Sequence, residues 1–223
     1  LAAGNLVAVV SPDEWEAVRA AQAVAGTTRW SEWSALPGNA GLGDFLRSDA
    51  VGELAPPLDG RANKGDAAAA AGARVHEAGY TMPFQKHAPI GPMVTLADYH
   101  PDGSVTLHTH SQTPQHLRRM IALMLGTGEG KVVVRTYPGS GHYGRSNGGS
   151  AGSEDEAVLL SRALGRPVRV QWMRHDDMQW SSNSPAMVSD IRITLDDAGR
   201  MAGYSAQHRG PPMQDDRLVG ALL

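Results

Sequence analysis

Short apolar runs alternate with polar ones along the chain, and their period changes from segment to segment. "NLVAVV" (5–10) is a brief apolar run and predicts a strand. "SPDE" behind it predicts a helix start, with Ser11 as cap, Pro12 in the first turn and Glu14 completing a capping box; the helix fades near Gly26. Residues 31–62 show no period and carry "LPG", "GLGD" and "APPLDG", so they predict an irregular connection. "KGDAAAAAGA" (64–73) favours helix by alanine content, and "RVHEAGYTMP" (74–83) alternates as a strand does. "MVTLADYHPDGSVTLHTHSQ" (93–112) predicts two strands turning at Pro101-Asp102-Gly103. From Pro114 the period becomes helical: Leu117, Met120, Ile121 and Met124 make one stripe, and Gly126 ends it. "KVVVRTY" (131–137) is a strand. "SEDEAVLLSRALGRP" (153–167) is a helix with a Ser153/Glu156 capping box and a Gly165 stop. "VRVQWMR" (168–174) is a strand, "HDD" (175–177) starts a turn or helix whose acids are solvated or capping, and residues 187–208 form a hairpin turning at Asp197-Ala198-Gly199. Helices mixed with adjacent strand pairs define an α+β class with mixed sheets.

Composition narrows this picture. The chain has 223 residues, 41% of them hydrophobic and 19% charged, as a globular protein does. A net charge of −3 offers no basic field for nucleic acid. No apolar run nears the ~18–20 residues that span a bilayer. The absence of cysteine removes disulfides, thiolate metal sites and a thiol nucleophile.

Two stretches carry candidate chemistry. The first follows the 131–137 strand: "GSGHYG" (139–144) spells G-x-G-x-x-G. A dinucleotide site needs a helix opening at the second or third glycine and an acidic residue ~20 positions on. The helix signal comes only at Ser153, and "RALGRP" holds no acid, so that reading fails; no Gly-Lys-Ser/Thr supports a P-loop either. Six glycines between 138 and 152 allow close backbone approach to a ligand, and successive N–H groups there can form an anion-binding nest. The second stretch is "HTHSQTPQH". On a strand, His108, His110 and Gln112 share one face, with Leu107 and Thr109 on the other. Two histidines so spaced can begin a metal site, which opens a zinc-hydrolase alternative; a polar strand face is the simpler account.

"GSGHYGR", then "EDEAVLLSRALGRPVRVQWMRHDDMQW" and "PAMVSDIRITLDDAGRMAGY", resemble the molybdopterin-binding large subunit of the xanthine dehydrogenase / aldehyde oxidase family, in particular its nicotinate dehydrogenase and isoquinoline 1-oxidoreductase branch. "YTMPFQKHAPIGPMVTLADYHPDGSVTLHTHSQTPQHLRRMIALMLG" is similar to the segment with that family's Ser/Thr-Gln motif. The resemblance implies that Ser140, Gly141, His142, Tyr143 and Gly144 match the family's Gly-Gly-Gly-Phe-Gly loop, which with Arg145 packs against the molybdenum cofactor through backbone N–H groups. It implies that the Gln112 amide approaches a molybdenum oxygen. His142 and Gly91 depart from the wider family, which has glycine and glutamate there.

The resemblance also sets expectations for the whole. Residues 1–62 would be the end of a small α/β domain plus a crossing linker, and 63–223 part of the molybdopterin-binding domain. The cofactor's dithiolene holds the metal, so no protein metal ligand is expected. The catalytic glutamate is expected beyond this chain, which then carries no catalytic residue and no turnover alone. The partners implied are the rest of the molybdenum subunit, an iron–sulfur subunit and a small N-heterocyclic or aldehyde substrate. A non-catalytic scaffold of the same fold is the alternative.

Overall fold

The structure is a computed structural model and describes residues 1–3, 6–31, 37–48, 65–67, 74–147 and 152–211. In chain order its main elements are α1 (Glu14–Thr27), α2 (Gly38–Arg47), β1 (Arg74–Met82), β2 (Val94–Tyr99), β3 (Val105–Thr109), α3 (Pro114–Leu125), β4 (Val132–Thr136), α4 (Ser153–Leu164), β5 (Val168–Gln171), α5 (Arg174–Trp180), β6 (Met187–Leu195) and β7 (Met201–Arg209). They fall into two compact units, each assembled from separate stretches of chain: 1–34 with 86–182, and 35–85 with 183–213. The boundary expected at residue 62 lies outside the described residues.

The first unit is built on a four-stranded sheet in the order β4-β3-β2-β5. β2 pairs antiparallel with β3 and with β5, whereas β3 and β4 run parallel. α3 and α4 pack on one face of the sheet. Ala97, Val105, Leu107, Leu117, Ile121, Val132, Ala157 and Val158 form the buried core between them. The strand alternation is clean: Val105, Leu107 and Thr109 are buried and their neighbours less so. The opposite face of the sheet keeps Leu96 and Val133 exposed.

The second unit is a three-stranded antiparallel sheet, β7-β6-β1, with α2 packed on β6 through Leu42, Leu46, Ala186 and Val188. Arg47 at the end of α2 meets Asp190 of β6, Nη2 to Oδ1, at 3.1 Å. The β6–β7 hairpin turns at Gly199 with φ +78°.

Several expectations are corrected. The stretch 31–62 is not wholly irregular, because α2 occupies Gly38–Arg47. Its glycines hid it, and it is held by burial of its apolar face against β6 rather than by propensity. α1 is capped by Asp13, which accepts from Glu16 N at 2.8 Å, not by Ser11. α4 has Gly152 at its cap; Ser153 instead reaches Thr95, Oγ to Oγ1 at 2.9 Å, and Glu156 accepts from the Trp172 indole at 2.8 Å. Both side chains answer tertiary partners and are lost to local capping. The "NLVAVV" strand shrinks to Leu6–Val7, and "VRVQWMR" is a strand only to Gln171. Of the helix expected over 64–73, residues 64 and 68–73 lie outside the described residues, and Gly65–Ala67 are not helical.

Gly126 closes α3 in the left-handed region at φ 64°, with open space around its Cα. Gly126→Ala therefore acts through the backbone alone and costs about 1 kcal/mol. A drop in melting temperature on the order of 2–4 °C is expected. Unchanged melting would show that this end of α3 contributes nothing to stability.

Candidate cofactor site

β3 and β4 are parallel, so both end on the same side of the sheet. Tyr137 N extends their pairing by donating to Thr109 O at 3.0 Å. The chain then leaves β3 as His110-Ser111-Gln112 and leaves β4 as Pro138-Gly139-Ser140, side by side. This places the two motifs at the carboxyl ends of adjacent strands, where open α/β sheets bind ligands.

Gln112 is exposed and lies at the strand-to-helix junction. Its backbone N–H donates to Ser146 Oγ at 2.9 Å, and its side-chain Oε1 accepts from Ser146 N at 3.2 Å. A backbone N–H can only donate, so the amide oxygen must face Ser146 and the NH2 is left directed away from it. Thr113 Oγ1 donates to Ser146 O at 2.8 Å. The carboxyl end of the loop is thus stapled to the glutamine motif. At its other end, Ser140 Oγ accepts from Gly91 N at 2.7 Å. A Cβ on Gly91 would collide with the Ser140 side chain, so glycine at 91 and serine at 140 depend on one another.

Between the staples the backbone is unusual. Gly141, Tyr143 and Gly144 have φ of +95°, +54° and +105°. Among the described residues, the N–H groups of Gly141, His142, Tyr143 and Gly144 find no acceptor. Four successive donors without a protein acceptor, three of them on residues of positive φ, make a nest for an electronegative ligand. A Cβ on Gly141 would sit 3.0 Å from the Tyr143 ring, and one on Gly144 3.0 Å from His87 Nε2. Tyr143 itself is 73% exposed.

The His142 ring packs on that of His110, with centroids 4.9 Å apart. The Nδ1 atoms of both are buried without partners. His110 Nε2 accepts from Val94 N at 3.4 Å, which leaves the proton on Nδ1. Burial, then the neighbouring His142 and Arg145, pushes the His110 pKa down to about 4. Burial, then Arg145, lowers that of His142. Gly139 is needed here because a Cβ on it would lie 2.5 Å from His110 Nδ1. His108 diverges to Tyr137, Nδ1 to the hydroxyl at 2.8 Å. Among the described residues no three His, Cys, Asp or Glu side chains are grouped to hold a metal ion. A recess of about 340 Å³ beside the loop is lined by Val94, Leu96, His108, Tyr137, Gly139 and Ser140, among others.

Arg145, expected against a cofactor, has its side chain buried, 1% exposed, and turned into the protein. Nη1 donates to Asp177 Oδ1 at 2.8 Å and to Gly91 O at 3.3 Å. Asp177, expected to be solvated or capping, is fully buried; Asp176 does the capping, accepting from Met173 N at 2.9 Å. Ser146 was not singled out by the sequence. Gly144-Arg145-Ser146-Asn147-Gly148 also spells G-x-S-x-G, but the Ser146 hydroxyl is buried and held by Gln112 rather than presented as a nucleophile.

This fold is that of part of the molybdopterin-binding region of molybdenum hydroxylases. The chain belongs to the molybdopterin cofactor-binding domain family, whose profile matches residues 53–210. It is 34% identical over 147 residues to a nicotinate dehydrogenase subunit of Pseudomonas putida, covering 64% of this chain and 12% of that protein. It is 31% identical over 129 residues to a membrane-bound aldehyde dehydrogenase of Gluconacetobacter polyoxogenes, whose name carries pyrroloquinoline quinone, covering 57% of this chain and 16% of that one. The chain therefore spans only a small part of the curated relatives it matches. In fold it is similar to aldehyde oxidoreductase from Desulfovibrio gigas (TM-score 0.57, 22% identity, 62% of this chain and 15% of that one). It is likewise similar to quinoline 2-oxidoreductase from Pseudomonas putida 86 (TM-score 0.56, 24% identity, 62% and 18%). Among the described residues no helix is long and apolar enough to cross a membrane.

Proposed function

We propose that this chain is the part of a molybdenum hydroxylase large subunit that holds and orients the molybdenum cofactor for hydroxylation of an N-heterocycle or an aldehyde. The observation that carries this reading is the row of four N–H donors at 141–144, without acceptors among the described residues, on the same loop that Ser146 ties to Gln112. The residues fit the group: a cofactor with anionic and oxo acceptors meets backbone donors that need them, and the glycines at 141 and 144 put no side chain into the approach. Gln112, Gly141, His142, Tyr143 and Gly144 would hold it. When bound, the cofactor supplies the redox chemistry, accepting the electron pair removed from the substrate carbon.

The chain's own part is binding and alignment. The loop N–H groups offer fixed dipoles that need no reorganisation during reaction. Gln112, locked by Ser146, presents a donor in one orientation. Ser140 and Gly91 keep the loop's entry in place. Proton abstraction is given to none of these residues; the family resemblance assigns it to a glutamate further along the subunit, and electrons to an iron–sulfur partner.

The test is Gln112→Ala in the full-length subunit produced with its partner. Loss of one oriented donor is expected to lower turnover of nicotinate or an aldehyde by about 10–100-fold, with molybdenum measured on the same sample. Unchanged turnover, or a purified protein holding quinone and no molybdenum, would overturn the reading.

A further inference from the structure

The loop that carries the four free donors is rich in glycine, and such a chain loses much entropy when fixed. Something must hold it. The hydrogen bonds at Ser140 and Ser146 tie its ends to Gly91 and to Gln112 and Thr113, but neither reaches α5. Arg145 does. Among the described residues it is the largest side chain to be fully buried, and it follows directly on the last residue of the donor row.

We propose that the buried Arg145–Asp177 pair is a positioning device that sets the backbone of the 141–144 nest for its ligand. This inference rests on the reading that the nest holds the molybdenum cofactor. Three observations point to it. First, the pair joins three separate segments at one point: Asp177 on α5, the loop, and Gly91, whose carbonyl accepts from the same Nη1. Gly91 in turn donates to Ser140, so the guanidinium and Gly91 link the two ends of the loop, on either side of residues 141–144. Second, the backbone of Arg145 is fixed on both sides. Its N–H donates to His142 O at 3.0 Å, and its carbonyl accepts from Ser182 Oγ. Any shift of the side chain is passed to the turn. Third, the pair is an inefficient source of stability. Arg145 Nε and Nη2 are buried without partners, and a buried ion pair can often be replaced by apolar side chains at no loss. Its geometry, not its energy, distinguishes it. Asp177 also receives Arg174 Nη1 at 3.3 Å, which holds the carboxylate in place from the other side.

The experiment compares Arg145→Met/Asp177→Leu with the wild type in the full-length subunit produced with its partner. Three quantities are read: melting temperature, molybdenum content, and amide exchange of the 138–147 segment in protein made without molybdenum. The double variant leaves no buried charge unpaired, since Arg174 is 45% exposed and still donates to Ile90 O, so its melting temperature is expected to stay near that of the wild type. Its 138–147 amides should exchange faster, and its molybdenum content should fall by about 10–100-fold. Wild-type exchange in that segment would overturn the inference, as would full molybdenum content with altered exchange. Should the double variant not fold, Arg145→Lys keeps the charge but loses the planar fork that reaches Asp177 and Gly91 together. Faster exchange and lower molybdenum are expected for it, and wild-type values for both would reject the positioning role. Failure of the underlying reading is distinguishable. In that case Gly141→Val also keeps its molybdenum, whereas failure of the positioning role alone leaves Gly141→Val depleted.

Discussion

Gly141→Val is expected to leave the full-length subunit folded and nearly free of molybdenum. Gly141 has φ +95°, a region that a β-branched residue resists. Its new Cβ would lie 3.0 Å from the Tyr143 ring carbon Cζ. Tyr143 is largely exposed and can swing away, so the steric part is relieved at the surface. What remains is backbone strain on the order of 1–3 kcal/mol, small against the ~5–15 kcal/mol that holds a domain together. The chain can shed this strain by rotating Gly141 out of the left-handed region. That rotation breaks up the nest, because a nest depends on the positive φ values found here. The fold therefore survives and the ligand is lost. Thermal melting and metal analysis of one preparation decide it: a normal melt with full molybdenum and wild-type turnover would make the loop a plain connector.

Acid is expected to loosen the same region, through His110. In the unfolded chain its ring takes up a proton near pH 6.5, while in the fold burial and the facing His142 and Arg145 delay this to about pH 4. Between those limits the unfolded state binds more protons, so stability falls as pH drops. The contribution is complete above pH 6.5 and gone by about pH 4. From pH 7.5 to 5 it amounts to about 2 kcal/mol. Glu156 works in the opposite direction, since burial raises its carboxyl pKa. The clean measurement is therefore a difference. The melting temperature of the wild type should fall more between pH 7.5 and 5 than that of His110→Leu, which has nothing to titrate. Equal falls would mean that the ring is protonated or solvated in the folded state. Because His110 backs Gly139 and His142, the acid-weakened state should also release molybdenum sooner than the variant does.

Much of the fold was legible in the letters. The stripe at Leu117, Met120 and Ile121 became the buried face of α3. Gly126 and Gly165 end their helices in the left-handed conformation, and the hairpin at Asp197-Ala198-Gly199 is where the turn residues put it. α2 escaped because three glycines dilute its period. The capping roles of Ser153 and Glu156 failed because Thr95 and Trp172 compete for the same atoms.

By itself the sequence determined what depends on a few neighbouring residues: helical stripes, glycine stops, turn chemistry, and a loop able to accept positive φ. These are set by sterics and hydrogen bonds that act within one or two turns of chain. Only the tertiary structure decided that Gln112 and Ser146, 34 residues apart, share two hydrogen bonds. That contact requires the parallel pairing of β3 with β4, reached by way of α3. It likewise decided that Arg145 turns inward. An arginine is buried only where a fixed counter-charge offsets its desolvation, and here that charge, Asp177, arrives 32 residues later on α5.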